Sequence, residues 1–202
     1  MADAERASRP GGRTARVRTD VLAAVEIELA DHGYDGLTID AVAARSGVHR
    51  TTVYRRWKTV AGLLVDLLQA GADDAWEPAD TGSLEGDLIA INREAFAALT
   101  ARPSVTQAVI AASFRTPEAA EALTNFWNDR YTRTETVVRR AIIRGEIPPS
   151  TDPHQVVMTA TAPLYHQLVL LRQPMHQPMA VHYAQVAAAS ARVGLGSGDG
   201  RV

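Results

Sequence analysis

Apolar residues recur at three- and four-residue intervals along almost the whole chain, and that spacing confines the fold to helices packed on helices. Val17, Val21, Val25 and Leu29, with Leu22 beside them, predict a first helix from Ala15 to His32, closed by Gly33. After the short connection Tyr34 to Leu37, Thr38 offers a capping hydroxyl for a second helix, Ile39 to Arg45, which Ser46-Gly47 ends. A third follows over His49 to Trp57. Thr59 can cap a fourth, whose Leu63, Leu64, Leu67 and Leu68 carry it to Trp76. Glu77 to Gly86, with Pro78, Asp80, Gly82 and Ser83, reads as a loop. Beyond it helices are predicted at Leu84–Thr100, Ser104–Phe114, Pro117–Arg144, Pro153–Leu171 and Pro178–Val193, with a kink at Pro163. No alternating apolar segment with hairpin turns occurs, so the fold class is all-α.

The 202 residues allow one or two domains, and 46% hydrophobic with 22% charged residues is the composition of a soluble globular chain. Neither a secretory signal nor an apolar membrane span is evident, and a cytoplasmic location with no membrane partner is expected. The absence of cysteine excludes disulfides, thiolate metal sites and a thiol nucleophile. Neither Gly-x-Ser-x-Gly nor Ser-x-x-Lys occurs, and Asp73 and Asp74 read as solvated carboxylates on a helix surface. His154, His166, His176 and His182 lack the His-Glu-x-x-His spacing. No catalytic residue, metal or cofactor is expected.

Net charge is only −2, but the bases are clustered: five lie between Arg6 and Arg18 and five more between Ala41 and Val65, with no acid in either block. The second block overlaps the stretch Ile39-Asp40-Ala41-Val42-Ala43-Ala44-Arg45-Ser46-Gly47-Val48-His49-Arg50-Thr51-Thr52-Val53-Tyr54. A close crossing of two short helices needs a small residue at the contact, a flexible turn and an apolar residue returned to the core. Ala43, Gly47 and Val53 supply these in order. Val53 and Trp57 then share the inward face of the third helix, while Arg50, Thr51, Tyr54 and Arg55 share the outward one. That outward face is the one a DNA major groove would meet.

Between Thr14 and Leu68 the chain resembles the tetracycline-repressor (TetR) family of regulators. The resemblance is carried by Gly33-Tyr34, Leu37-Thr38, Ile39, Val42-Ala43, Gly47-Val48, Thr52-Val53-Tyr54, Trp57 and Leu63. It implies base-edge contacts from Arg50 and Thr51, with Tyr54 and Arg55 beside them, and phosphate contacts from Thr38, Thr52 and Arg56. Where family members often place a phosphate-binding lysine at the start of the fourth helix, this chain has Val60, with Lys58 and Thr59 adjacent. The resemblance further implies a flexible basic arm over residues 1–14, a helix-turn-helix DNA-binding domain over 15–58, and a linking helix with an effector-binding and dimerisation bundle over 59–193. A flexible tail over 194–202 completes the chain.

The partners so implied are double-stranded operator DNA, a small-molecule effector and a second copy of the chain. Phe96, Phe114, Trp127, Tyr131, Met158, Tyr165 and His166, with Phe126 and Gln167, are the candidate ligand residues. Ala184, Ala187, Ala188 and Ala191 give the last helix a small-residue face suited to a homodimer interface formed by the last two helices. The function expected is a repressor released from a palindromic operator by a small, largely apolar ligand. Alternatives are a ligand-independent DNA-binding protein and a small-molecule carrier without DNA affinity.

Overall fold

The computed structural model describes Pro10–Gly194, so the arm expected over 1–9 and the tail over 195–202 lie outside the described residues. Within them the elements are α1 (Pro10–Gly36), α2 (Ile39–Ser46), α3 (Arg50–Trp57), α4 (Val60–Ala72), α5 (Leu84–Thr100), α6 (Val105–Ser113), α7 (Pro117–Ile143), α8 (Pro153–Tyr165), a π turn (His166–Leu170) and α9 (Gln177–Arg192). No strand occurs among the described residues. α1 starts at Pro10 rather than Ala15, so residues 10–14, expected in the arm, are helical; proline suits a first helical turn. The break expected at Gly33 is present as a residue at φ 68 inside α1.

The chain forms two compact units, one of Met1–Gly71 with Ala108–Leu123, the other of Ala72–Gln107 with Thr124–Val202. In the first unit Val21, Val25 and Leu29 of α1, Val42 of α2, Val53 of α3 and Leu63 and Leu64 of α4 are fully buried. An ionic clasp supports this core. Arg18 Nε and Nη2 donate to Asp66 Oδ1 at 3.0 and 2.8 Å, and Trp57 Nε1 donates to Oδ2 at 2.7 Å. Burial alone would raise the Asp66 carboxyl, but the bonds from Arg18 and Trp57 and the charges of Arg18 and Arg56 outweigh it and hold the group below its ordinary value. The corner between α3 and α4 admits no side chain at Gly62, where a Cβ would stand 2.3 Å from the Trp57 carbonyl oxygen.

In the second unit α5, α8 and α9 pack on one another. Their core joins Leu84, Leu88 and Ile91 to Val137, Val138 and Ala141 of α7, Val156, Val157 and Ala160 of α8, and Ala184, Ala187, Ala188 and Ala191 of α9. Asn92, fully buried, donates through Nδ2 to the carbonyls of Ala160 and Ala180, both at 2.9 Å, and so ties α5 to α8 and α9 at once. α8 begins with Asp152 as cap and Pro153 in its first turn. Pro163 contributes no N–H to the helical ladder, and three residues on the register widens into the π turn, with Leu171 N donating to His166 O at 2.9 Å.

α4 ends at Ala72, short of the expected Trp76. Carboxylates at 73 and 74 oppose the negative end of a helix dipole, and Asp74 accepts the Trp76 N–H at 3.0 Å, which turns the chain away. Asp74 is therefore not the solvated helix residue expected. It pairs with Arg130 at 3.0 Å and Arg133 at 3.2 Å, and Arg133 also donates to the carbonyls of Asp74, Trp76 and Ala72. Burial raises the Asp74 carboxyl, but the Trp76 N–H and the Arg130 guanidinium prevail and lower it.

Candidate functional site

α2, the turn and α3 are locally specified. Thr38 caps α2 by accepting the Ala41 N–H at 3.1 Å, and Gly47 closes it at φ 66, a left-handed conformation that suits glycine. His49, which the sequence reading did not single out, caps α3 by accepting the Thr51 N–H at 3.4 Å through Nδ1. Val53 and Trp57 are buried while Arg50, Thr51, Tyr54 and Arg55 are exposed, so the two faces of α3 divide as the spacing predicted. Tyr54 is 60% exposed, an unusual position for an aromatic ring with no further role.

The eight expected DNA residues are not equivalent. Arg50, Thr51, Tyr54, Arg55 and the exposed Lys58 follow one face of α3 and its end. Arg50 Nε is paired with Asp40 Oδ1 at 2.6 Å. Thr52 is half-buried on the flank, Thr38 is engaged as a cap, and Arg56 stacks on the Trp57 ring at 4.9 Å while donating to the Thr14 carbonyl at 3.4 Å. Val60 is half-buried, and Lys58, in a left-handed conformation at φ 61, is the neighbouring cation.

The second unit contains a cavity of about 200 Å³ lined in part by five aromatic rings, those of Trp76, Phe126, Trp127, Tyr131 and Tyr165. Trp127 is central. Its ring centroid lies 5.2 Å from Phe126, 5.8 Å from Tyr131 and 5.2 Å from Tyr165. Arg130 lies between the Trp76 and Phe126 rings, 4.3 and 5.2 Å from their centroids. Glu94 accepts from Trp76 Nε1 at 3.0 Å. Val157, Thr161 and Tyr165 present successive turns of α8 to the space. Burial raises the phenols of Tyr131 and Tyr165, the latter far above its ordinary value, so both stay protonated at neutral pH.

Phe126, Trp127, Tyr131 and Tyr165 are thus brought together as expected, whereas the other five candidates are not. Phe96 faces a separate cleft with Leu99 and Leu168, because α5 presents positions 91, 94, 95 and 98 to the cavity. Met158 sits one position out of the register 157, 161, 165. Phe114, 75% exposed, belongs to the other unit. His166 is exposed at the start of the π turn, and Gln167 donates to the Pro174 carbonyl at 2.8 Å. Trp76, Glu94 and Arg130 were missed. The spacing 126, 127, 130, 131 on α7 held the signal for Arg130, while Trp76 was obscured by its assignment to the end of α4.

The alanines of α9 also need correction as an interface. Ala184 and Ala188 are fully buried and Ala187 and Ala191 are 1% exposed, because small residues let α9 pack closely within its own unit. The exposed stripe is the other one, Met179, His182, Val186, Ala189 and Val193, at alternating three- and four-residue steps.

Among the described residues no three His, Asp or Glu side chains come together as a metal site, and no helix is long and apolar enough to cross a membrane. The helix-turn-helix and the bundle each have counterparts among known proteins. Residues 21–67 match the profile of bacterial regulatory proteins of the tetR family, and residues 78–187 match the tetracyclin repressor-like C-terminal domain. The chain is 34% identical over 149 residues to the HTH-type transcriptional regulator AqdR of Rhodococcus erythropolis, covering 73% of this chain and 72% of that one. It is 32% identical over 162 residues to the DNA-binding transcriptional repressor TetR of Mycobacteroides abscessus, covering 76% and 83%. The crystal structure of the TetR family transcription regulator SCO0332 superposes with a TM-score of 0.67 at 27% identity, covering 86% of this chain and 97% of that one. With profiles matched over both halves, a shared fold and an exposed basic α3, the chain belongs to the tetracycline-repressor family of DNA-binding transcription regulators and is not an enzyme.

Proposed function

We propose that the protein is a homodimeric repressor that occupies a palindromic operator and leaves it when a small, largely apolar molecule enters the aromatic cavity. The observation that carries the reading is the fastening of α4. Its last carbonyl, at Ala72, accepts from Arg133, and the Asp74 just beyond it holds Arg130, a wall of the cavity. A molecule that displaces Arg130 therefore strains the anchor of the helix that leads from the DNA-binding unit. The repressor named among the relatives supports the same sense of regulation.

The test is a screen of small apolar compounds by thermal shift, followed by titration of operator DNA with and without each hit. A typical coupling of ~1–3 kcal/mol weakens operator affinity about 5- to 150-fold, and DNA weakens ligand affinity by the same factor. Hits whose binding leaves operator affinity unchanged would return the constitutive reading.

On the DNA side Arg50 reads a base edge and Arg56 contacts the backbone. Arg50→Ala is expected to reduce discrimination at one operator position by ~1–3 kcal/mol. Arg56→Ala is expected to weaken all sequences alike and to lower the salt slope by about 1. Affinities across a mutated operator series distinguish them, and a uniform loss with Arg50→Ala would remove its reading role.

A further inference from the structure

The cavity wall carries a definite chemical preference. Its two ionised side chains, Arg130 and Glu94, are of opposite sign, and both are engaged: Arg130 by Asp74 at 3.0 Å and by two rings, Glu94 by Trp76 Nε1. An anionic ligand would lose its hydration without gaining a free counter-charge, and a cation would meet Glu94 only on its exposed side, where an ion pair contributes little. Most polar groups of the wall are also satisfied. Thr134 Oγ1 donates to the Arg130 carbonyl at 2.7 Å, and Thr161 Oγ1 donates to the Val157 carbonyl at 2.9 Å. The Tyr131 phenol interacts with the Thr161 hydroxyl.

Tyr165 differs. Its ring is wedged edge-on against Trp127, and its hydroxyl has no hydrogen-bond partner among the described residues. Tyr165 lines the cavity, and a hydroxyl there without a protein partner is available to a ligand. A neutral phenol can donate its O–H to an acceptor on a ligand. The space is somewhat larger than the ~150 Å³ that accommodates benzene, and five flat rings are part of its wall.

We infer that the effector is an uncharged one- or two-ring aromatic compound with a hydrogen-bond acceptor, such as a carbonyl or ring nitrogen, which takes its bond from the Tyr165 hydroxyl. This rests on the cavity being the effector site.

Calorimetric titration of the full chain with matched naphthalenes tests both levels. 1-Acetylnaphthalene is expected to bind ~3- to 10-fold more tightly than 1-ethylnaphthalene, the ratio of a single neutral hydrogen bond. 1-Naphthoate and 1-naphthylmethylammonium are expected to bind more weakly than either. Tyr165→Phe should remove the preference for the acetyl compound while leaving the affinity for the ethyl compound unchanged, a split that general damage to the fold would not produce. Equal binding of the acetyl and ethyl compounds by the unmodified chain overturns the inference but leaves the cavity as an effector site. Tightest binding of the naphthoate also overturns it, since Arg130 would then have exchanged Asp74 for the ligand. No binding by any of the four overturns the inference and the effector-site reading together.

Discussion

Replacing Asp87 by alanine is expected to destabilise the C-terminal unit by about 3 kcal/mol, at the lower edge of the ~3–5 kcal/mol that follows removal of one partner from a buried ion pair. Asp87 is fully buried at the start of α5. Its Oδ1 accepts from the Thr81 N–H at 2.6 Å and the Thr81 hydroxyl at 2.8 Å, which folds the loop before α5 back on the helix. Its Oδ2 lies 3.5 Å from Arg140 and 3.9 Å from Arg144. Truncation leaves the Thr81 N–H without its acceptor and two cations facing a void. The lower edge applies because Arg140 keeps Asp80 at 3.2 Å and the Ala79 carbonyl at 2.6 Å, and Arg144 keeps Glu146 at 2.5 Å. For a chain of this size the melting temperature should fall by ~6–12 °C. Asp87→Asn retains an acceptor for Thr81 and should lose less. A loss under about 1 kcal/mol for the alanine variant would mean that the network behaves like a solvated surface pair.

A double substitution on α9, Met179→Asp with Val186→Asp, is expected to convert the proposed dimer to monomers and weaken operator binding by ~10²–10⁴-fold, the advantage lost when two linked half-site contacts become independent. Met179 and Val186 are 44% and 43% exposed and seven residues apart on a stripe with His182, Ala189 and Val193. This is the spacing at which two helices interlock side chains along a seam. Carboxylates placed there would face each other across a two-fold axis without cations. Because both side chains are exposed in the protomer, its own melting should move by no more than ~0.5 kcal/mol. Sedimentation and operator titration provide the readings. A double variant that still sediments as a dimer would exclude this stripe as the interface.

The helices were legible because their apolar repeats and caps are local: Thr38, Ser83 and Asp152 all act as the capping residues their types suggest. α3 was legible for the same reason, since an eight-residue amphipathic helix shows its inner and outer faces in its own spacing. The cavity was less so. Which turn of α5 or α8 faces inward depends on helix rotation within the bundle, a tertiary quantity, and a rotation of one position separates Val157 from Met158 and Ala95 from Phe96. Small residues mislead in a related way. Alanines at 184, 187, 188 and 191 announce close packing without saying whether the neighbour lies in the same chain. Asp74 was misread because an acid beside a helix end resembles solvated surface until the arginines it meets, 56 and 59 residues later in the chain, are in place.

The pairing of Arg50 with Asp40 bears on how the regulator finds its target in a genome. The carboxylate competes with DNA for the side chain proposed to read it, so a complex in which Arg50 contacts a base must first detach it. An exposed pair of this kind contributes up to about 1 kcal/mol. At the correct base, two hydrogen bonds to guanine, worth ~1–3 kcal/mol, more than offset that. On random sequence only the diffuse attraction of the backbone is available, and the guanidinium gains little by leaving Asp40. With Arg50 in the proposed reading role, the acid beside it is expected to shorten residence on the vast excess of irrelevant sites and free more protein to search.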